Sequence, residues 1–305
     1  MCASEQMGRH PAAIVDANMA AAAKIGLHSR HSFFGRLELP AGAVGAGLTC
    51  AKCNLRETCL SGGVPAEDLE YVENIVYARR QIKRGELLFR AGDEFKCLFA
   101  IRCGSFKTSF ADGEGRERIT GFFMSGELLG MDGLGSGRCE GNAIALEDSL
   151  VCAMPYALIE DIGRDVPSLQ RRLHSVLARE IVRGQGIMVL LASMGARQRV
   201  AAFLISLSRR FASRGFSGSR FVLRMTRAEI ASYLGLELET VSRIFSAFHK
   251  GGLIEVRQRQ VNIVDIKRLE DTLALGGGQE AALRAFSRPP LPGVARGLGA
   301  PAAKG

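Results

Sequence analysis

The sequence has no tryptophan, four tyrosines and five histidines in 305 residues. The missing tryptophan excludes nothing, but other absences exclude more. A bilayer-spanning helix needs about 20 consecutive apolar residues, and the longest strongly apolar stretch here is only residues 187–192. The alanine-rich run at residues 19–23 lacks the bulky apolar block of an export signal. The chain therefore reads as cytoplasmic and away from membranes, where thiols stay reduced and grouped cysteines point to metal binding or redox sensing rather than to disulfides. No nucleophile stands near a base, no glycine loop has nucleotide-binding spacing, and no histidines cluster. His174 and His249 stand alone on helical stretches. Nothing here reads as an enzyme. One further absence is local: residues 196–260 contain no aspartate.

That same segment holds 12 arginines and lysines against four glutamates, a net +8 beside a formal +9 for the whole chain. A basic excess confined to one region is the electrostatic footprint of a polyanion binder. On charge alone a solvated basic face explains it as well.

Length suggests two domains plus extensions, and a hydrophobic content of 47% supplies their cores. Residues 1–48 read as a poorly ordered extension and residues 49–62 as a cysteine loop. Residues 63–165 open with a helix after Pro65, carrying Leu69, Val72, Ile75 and Val76 on one face. From Arg79 to Pro155, short β-branched and aromatic runs alternate with glycine turns. Residues 87–89, 98–101 and 106–110 are examples, and the pattern predicts an antiparallel barrel or roll. Residues 166–194 predict one long helix opening at Pro167. Leu173, Leu177, Ile181, Gly184, Met188 and Leu191 recur along it at steps of about 3.5 residues, a seam suited to dimerisation. From about residue 276 a Gly/Pro/Ala tail follows, and residues 271–305 read as poorly ordered. The fold class is α+β: an N-terminal antiparallel β-roll, a long dimerisation helix, and a C-terminal winged helix-turn-helix over 195–270.

The last element has the sharpest local signature. Thr226 and Glu229 form a capping box ahead of Ile230, Ala231 and Leu234. Gly235 supplies a left-handed turn. Val241, Ile244 and Phe245 then face inward on a second helix, leaving Glu239, Thr240, Ser242 and Arg243 outward. Arginine donates two bonds to guanine, glutamate accepts from cytosine, and serine does either, so this face suits major-groove reading. A hairpin follows, whose Arg257 and Arg259 suit phosphates.

Cys50, Cys53 and Cys59 form a C-x2-C-x5-C group, three soft ligands in one loop. Zinc and iron–sulfur clusters both accept such ligands. A fourth ligand must come from far along the chain, where Cys97, Cys103, Cys139 and Cys152 are available. Spacing does not choose the metal.

The order of cysteine loop, roll, long helix and winged helix resembles the CRP/FNR family, specifically its oxygen-responsive FNR branch. The resemblance spans about residues 50–270 and rests on residues 89–93, 119–122, 204–216, 226–235 and 239–243. It implies a 4Fe–4S cluster held by Cys50, Cys53, Cys59 and Cys152, the last because residues 146–155 resemble the family's stretch. Cys2, Cys97, Cys103 and Cys139 have no matching role. It implies that Glu239, Ser242 and Arg243 read palindromic TTGAT-like half-sites in double-stranded DNA. It further implies a homodimer whose cluster is destroyed by oxygen, and contact with RNA polymerase, for which the loop at residues 111–115 is suited. The centre of the long helix carries no acidic residue between Ile181 and Met194, which leads us to expect a cluster-free form that dimerises more readily than relatives with acids there. Asn54 and Thr58, beside Cys53 and Cys59, are placed to tune cluster lifetime. Rival readings on the same fold are a structural four-cysteine zinc site and a small-molecule effector. For a cyclic nucleotide, Gly126 and Glu127 are present, but Arg138 is followed by Cys139 and Glu140, an incomplete phosphate site.

Overall fold

The computed structural model describes residues 43–44, 50–76, 78–273 and 283–286. Strands β1 (Ala43–Val44) and β2 (Ala78–Ile82) flank the cysteine loop and helix α1 (Leu69–Ile75). Then come β3 (Leu87–Phe89), β4 (Cys97–Cys103), β5 (Ser105–Ala111), β6 (Glu117–Met124), β7 (Leu128–Leu129), β8 (Asn142–Ala145) and β9 (Ser149–Pro155). They form two antiparallel sheets, one ordered β1-β2-β9-β4-β7 and the other β3-β8-β5-β6. This is the expected roll.

Strand periodicity places the site. Side chains alternate faces along a strand. On β9, Val151 and Ala153 enter the core between the sheets with Phe99, Ile101 and Phe106. Cys152 and Met154 therefore point the other way, into a second core made with Leu60, Val64, Val72, Ile75, Leu98 and Ala100. That core also receives α2 (Tyr156–Asp165) and the start of α3 (Pro167–Ser193), through Ile159, Ile162, Leu169, Leu173 and Val176.

The C-terminal domain consists of α4 (Ala196–Ala212), β10 (Arg220–Val222), α5 (Arg227–Leu234), α6 (Leu238–Lys250), the hairpin β11 (Ile254–Arg257) and β12 (Gln260–Ile263), and α7 (Ile266–Asp271). Its core is not closed on itself. Ile119, Phe122 and Met124 of β6 join it from the roll, and Leu190 of α3 and Met194 just after it join from the long helix side.

Two pieces depart from expectation. Within the expected N-terminal extension, Ala43 and Val44 pair with Arg80 and Arg79 of β2. Within the expected tail, residues 283–286 are helical. Leu283 and Phe286 are buried there, with the Phe286 ring stacked 6.2 Å from Tyr233. The reason is apolar burial: two large side chains three positions apart join the edge of the C-terminal core. The rest of both expected extensions lies outside the described residues. Among the described residues no helix is long and apolar enough to cross a membrane.

Candidate DNA interface, cysteine cavity and domain junction

The reading helix is built as its local sequence demands. Thr226 Oγ1 accepts from Glu229 N at 3.1 Å while Thr226 N donates back to Glu229 Oε2 at 2.6 Å, completing the capping box. Gly235 ends α5 in the left-handed region at φ 60°, so a side chain there would be strained. Val241 and Phe245 of α6 are buried, and Ile244 is partly so. Phe248, which sequence reasoning did not single out, is fully buried. Glu239, Ser242 and Arg243 are exposed together on the opposite face, and Thr240 is half-buried. Arg243 donates to Thr240 Oγ1 at 3.3 Å. Arg257 and Arg259 are exposed at the hairpin turn, where Gln258 adopts φ 54°.

The basic charge of this domain is not all available to a polyanion. Arg199 ties three carbonyls, those of Leu191, Met194 and Leu234, so it fastens the end of α3 to the end of α5. Arg209 pairs with Glu270, and Arg224 with Glu147. Arg210 and Arg214 both grip Glu127 of the roll. Arg227 lies 3.3 Å over the Phe245 ring, where burial lowers its pKa to about 10. Six arginines thus serve the protein's own architecture. Among the exposed basic residues are Arg243 on the reading face, Lys250 at the end of α6, and Arg257 and Arg259 at the hairpin turn.

Cys50, Cys53 and Cys59 face Cys152 across one cavity, walled by Leu55, Leu60, Val72, Val76, Ile101 and Met154. Register sets Cys152 between Arg79 of β2 and Ala100 of β4. The loop that brings the other three is made of turns alone. It is pinned by Arg56 donating to Val64 O at 2.8 Å and by Ala51 N donating to Glu73 Oε1 at 3.0 Å. Burial, then repulsion from Cys59 and Cys152, pushes the Cys50 thiol up to about 12. Burial, then Cys152, pushes Cys59 up to about 11. Burial also raises Cys152, against the opposing pull of Arg79 and Arg102. Burial thus disfavours the thiolate at Cys50, Cys59 and Cys152, and four converging sulfurs fit a metal centre whose charge would stabilise them as thiolates.

The donor set fits a cluster and the enclosed space does not yet do so. The cavity is about 30 Å³, room for a water or two. Among the described residues no group of three or more His, Cys, Asp or Glu is spaced to hold a metal ion. Of the remaining cysteines, Cys97 and Cys103 bound β4, and Cys139 is buried in the roll core.

The expected dimer seam divides in the folded chain. Leu173 is buried in the core behind the cysteine loop, and Leu177 packs partly against it. Leu191 packs against the C-terminal core. Ile181 and Met188 remain, each 63% exposed, with Val189 beside them. A Cβ on Gly184 would meet nothing within 4 Å. The outward part of the seam is therefore Ile181, Gly184 and Met188.

Comparison with known proteins agrees with this architecture. The family model described as Crp-like helix-turn-helix domain matches residues 198–272, and that described as Cyclic nucleotide-binding domain matches residues 79–165. The transcriptional regulatory protein btr of Bordetella pertussis is 40% identical over 232 residues, covering 76% of this chain and 94% of btr. The fumarate and nitrate reduction regulatory protein of Escherichia coli is 39% identical over 219 residues, covering 72% of this chain and 88% of that protein. This chain belongs to the CRP/FNR family, FNR branch. It is a DNA-binding transcription regulator. Among solved structures, FixK2 from Bradyrhizobium japonicum superposes with a TM-score of 0.60 at 27% identity, over 65% of this chain and 98% of FixK2.

In this regulator the roll's nucleotide-like turn is already engaged. Glu127 is committed to Arg210 and Arg214, and Arg138 donates to Gly92 O at 2.8 Å.

Proposed function

We propose that this regulator senses oxygen through a 4Fe–4S cluster held by Cys50, Cys53, Cys59 and Cys152. Its loaded form dimerises along α3 and reads TTGAT-like palindromes with Glu239, Thr240, Ser242 and Arg243. It activates or represses genes of anaerobic metabolism and touches RNA polymerase through the turn at residues 111–115. The observation that carries this reading is the convergence of four cysteines from two distant segments on one apolar cavity.

Bound there, the cluster supplies an iron–sulfur centre that oxygen degrades. The chain's own residues do the rest. Cys50, Cys53, Cys59 and Cys152 would hold the cluster as thiolates, and Arg79 and Arg102 would offset the negative charge at Cys152. The turns of the loop would have to shift to admit it, because the cavity is only about 30 Å³. Ile181 and Met188 meet their copies across a twofold axis, and a twofold protein matches a twofold site. Asp112 locks the 111–115 turn in shape, accepting from the Glu114 and Arg116 amides at 3.0 and 2.9 Å.

The test is operator binding without oxygen and again after air. Loaded protein should bind a TTGAT palindrome at least tenfold more tightly than air-treated protein, the scale of ordinary allosteric coupling. Equal affinity before and after air would reject oxygen control while leaving DNA binding intact.

A further inference from the structure

Arg172 lies on the face of α3 that carries Leu169, Leu173 and Val176 into the apolar core, and it is only 3% exposed. A guanidinium in that position is costly unless its donors are satisfied. No ion pair holds it among the described residues. Instead it reaches the cysteine loop, donating from Nη2 to Glu57 O at 2.7 Å and to Cys59 O at 2.9 Å, and from Nε to Cys59 O at 3.0 Å. Its Nη1 is buried with no hydrogen-bond partner. Gly62 makes the space: a Cβ there would lie 2.5 Å from Arg172 Nη2. The long helix thus holds the end of the loop by the backbone of a cysteine that lines the cavity.

We propose that Arg172 couples the cysteine loop to the dimer seam. The trigger rests on the cluster reading above; the clamp itself does not. The loop is otherwise tied through Arg56 and Ala51, and any rearrangement of its turns changes where the carbonyls of Glu57 and Cys59 sit. Those carbonyls hold a side chain rooted in a continuous 27-residue helix. Ile181 lies nine residues further along, about 14 Å at the usual helical rise. Loop position and the setting of the seam are thereby linked, and linkage is reciprocal: whatever orders the loop favours one helix setting, and dimerisation orders the loop. Arg172 is a positioning residue, because it touches backbone carbonyls and no reacting atom.

The test uses the full chain with Arg172→Gln, Arg172→Lys and Gly62→Ala. The last keeps Arg172 but crowds both sides of the clamp, since its Cβ would lie 2.5 Å from Arg172 Nη2 and 2.6 Å from Glu57 O. In cluster-free protein, amides of residues 57–62 should exchange about tenfold faster in Arg172→Gln and Gly62→Ala, the effect of losing hydrogen bonds to a charged group. Arg172→Lys should recover part of the protection, since one point donor replaces a fork. The ratio of dimer dissociation constants between cluster-free and loaded protein should fall about tenfold in both disruptive variants. Unchanged exchange in both, or both dimer constants shifting by one common factor, overturns the proposal; the second result would mark a structural brace without coupling. If the protein carries no cluster, the cluster reading fails by itself. Loop protection followed across the monomer–dimer range then decides. Protection rising with dimerisation in the native chain but not in Arg172→Gln supports the coupling, and an equal rise in both overturns it.

Discussion

Glu127 of the roll meets Arg214 of the DNA-binding domain at 2.6 Å, and the arginine side chain is 1% exposed. Arg210 closes on the same carboxylate at 2.7 Å and donates as well to Phe122 O at 2.7 Å. Arg214 adds a bond to Ser125 O at 2.6 Å. Around this group β6 supplies Ile119 and Phe122 to the C-terminal core, and Ile119 N donates to Ser232 Oγ at 3.1 Å. The reading head is therefore seated on the roll by a buried charge cluster inside an apolar contact. Thr58 of the cysteine loop abuts the neighbouring Gly126, where a Cβ would lie 2.1 Å from its Oγ1.

Removing one partner of a buried ion group leaves the others uncompensated, which costs about 3 kcal/mol or more. Glu127→Gln should lower unfolding stability by about that amount and weaken operator binding together with it. Urea unfolding beside gel-shift titration checks this. A variant as stable as the native chain would show the cluster to be ornamental.

The same carboxylate sets an acid limit. Burial raises its pKa, but Arg210 and Arg214 outweigh burial and hold it down at about 2, against an ordinary 4.5. A lowered folded-state pKa stabilises above the unfolded value and loses that stabilisation as pH falls. The native chain's stability advantage over Glu127→Gln should be full above pH 4.5 and shrink as pH falls from there towards 2. Melting temperatures of the two proteins across that range give the comparison, and a constant gap would contradict it.

On the DNA side, Arg243→Ala should cost about 1–3 kcal/mol at the specific site and relax the base preference at one position in each half-site. Arg257→Ala should weaken binding to all sequences alike and reduce the salt slope by about one. Because six arginines of the domain are engaged by the protein's own carbonyls, carboxylates or Phe245 ring, the total slope should be smaller than the net charge of residues 196–260 suggests. Affinity measured against salt and against single-base variants separates the two classes of contact.

The dimer seam gives a fourth expectation. Glu180, beside Ile181, is paired with Arg183 at 2.7 Å, so its charge is neutralised within one chain. With no acid from Ile181 to Met194, the cluster-free form should retain dimer at micromolar concentration, and Ile181→Glu should abolish it. Sedimentation velocity decides, and a clean cluster-free monomer of the native chain would refute the first part.

What the sequence made legible was local. The capping box of Thr226 and Glu229, the turn at Gly235 and the short strands between glycines each occupy a few consecutive residues, and each formed as expected. Cys152 was picked out only by the resemblance, and the structure gives the physical reason for its placement: it alternates with Val151 and Ala153 on β9 and so faces away from the roll core. The contacts that join the parts were not legible. Glu127 and Arg214 are 87 residues apart and carry no shared pattern. On charge alone the basic excess fitted a solvated face as well as a DNA-binding one, and sequence does not show which arginines are spent on the protein's own carbonyls and carboxylates. Arg172 left a faint trace, a charged residue on the apolar face with Leu169, Leu173 and Val176. Leu191 followed the helical period but was claimed by the C-terminal core, since a long helix passes from one neighbour to the next along its length.

The central claim is that four cysteines hold a 4Fe–4S cluster that oxygen destroys. The most direct measurement is the visible spectrum, with iron and sulfide content, of protein purified without oxygen and then exposed to air. The account predicts a brown protein with about four irons per chain that bleaches in air, and loss of the colour in Cys152→Ala. A colourless protein carrying one zinc, unchanged by air, would contradict it.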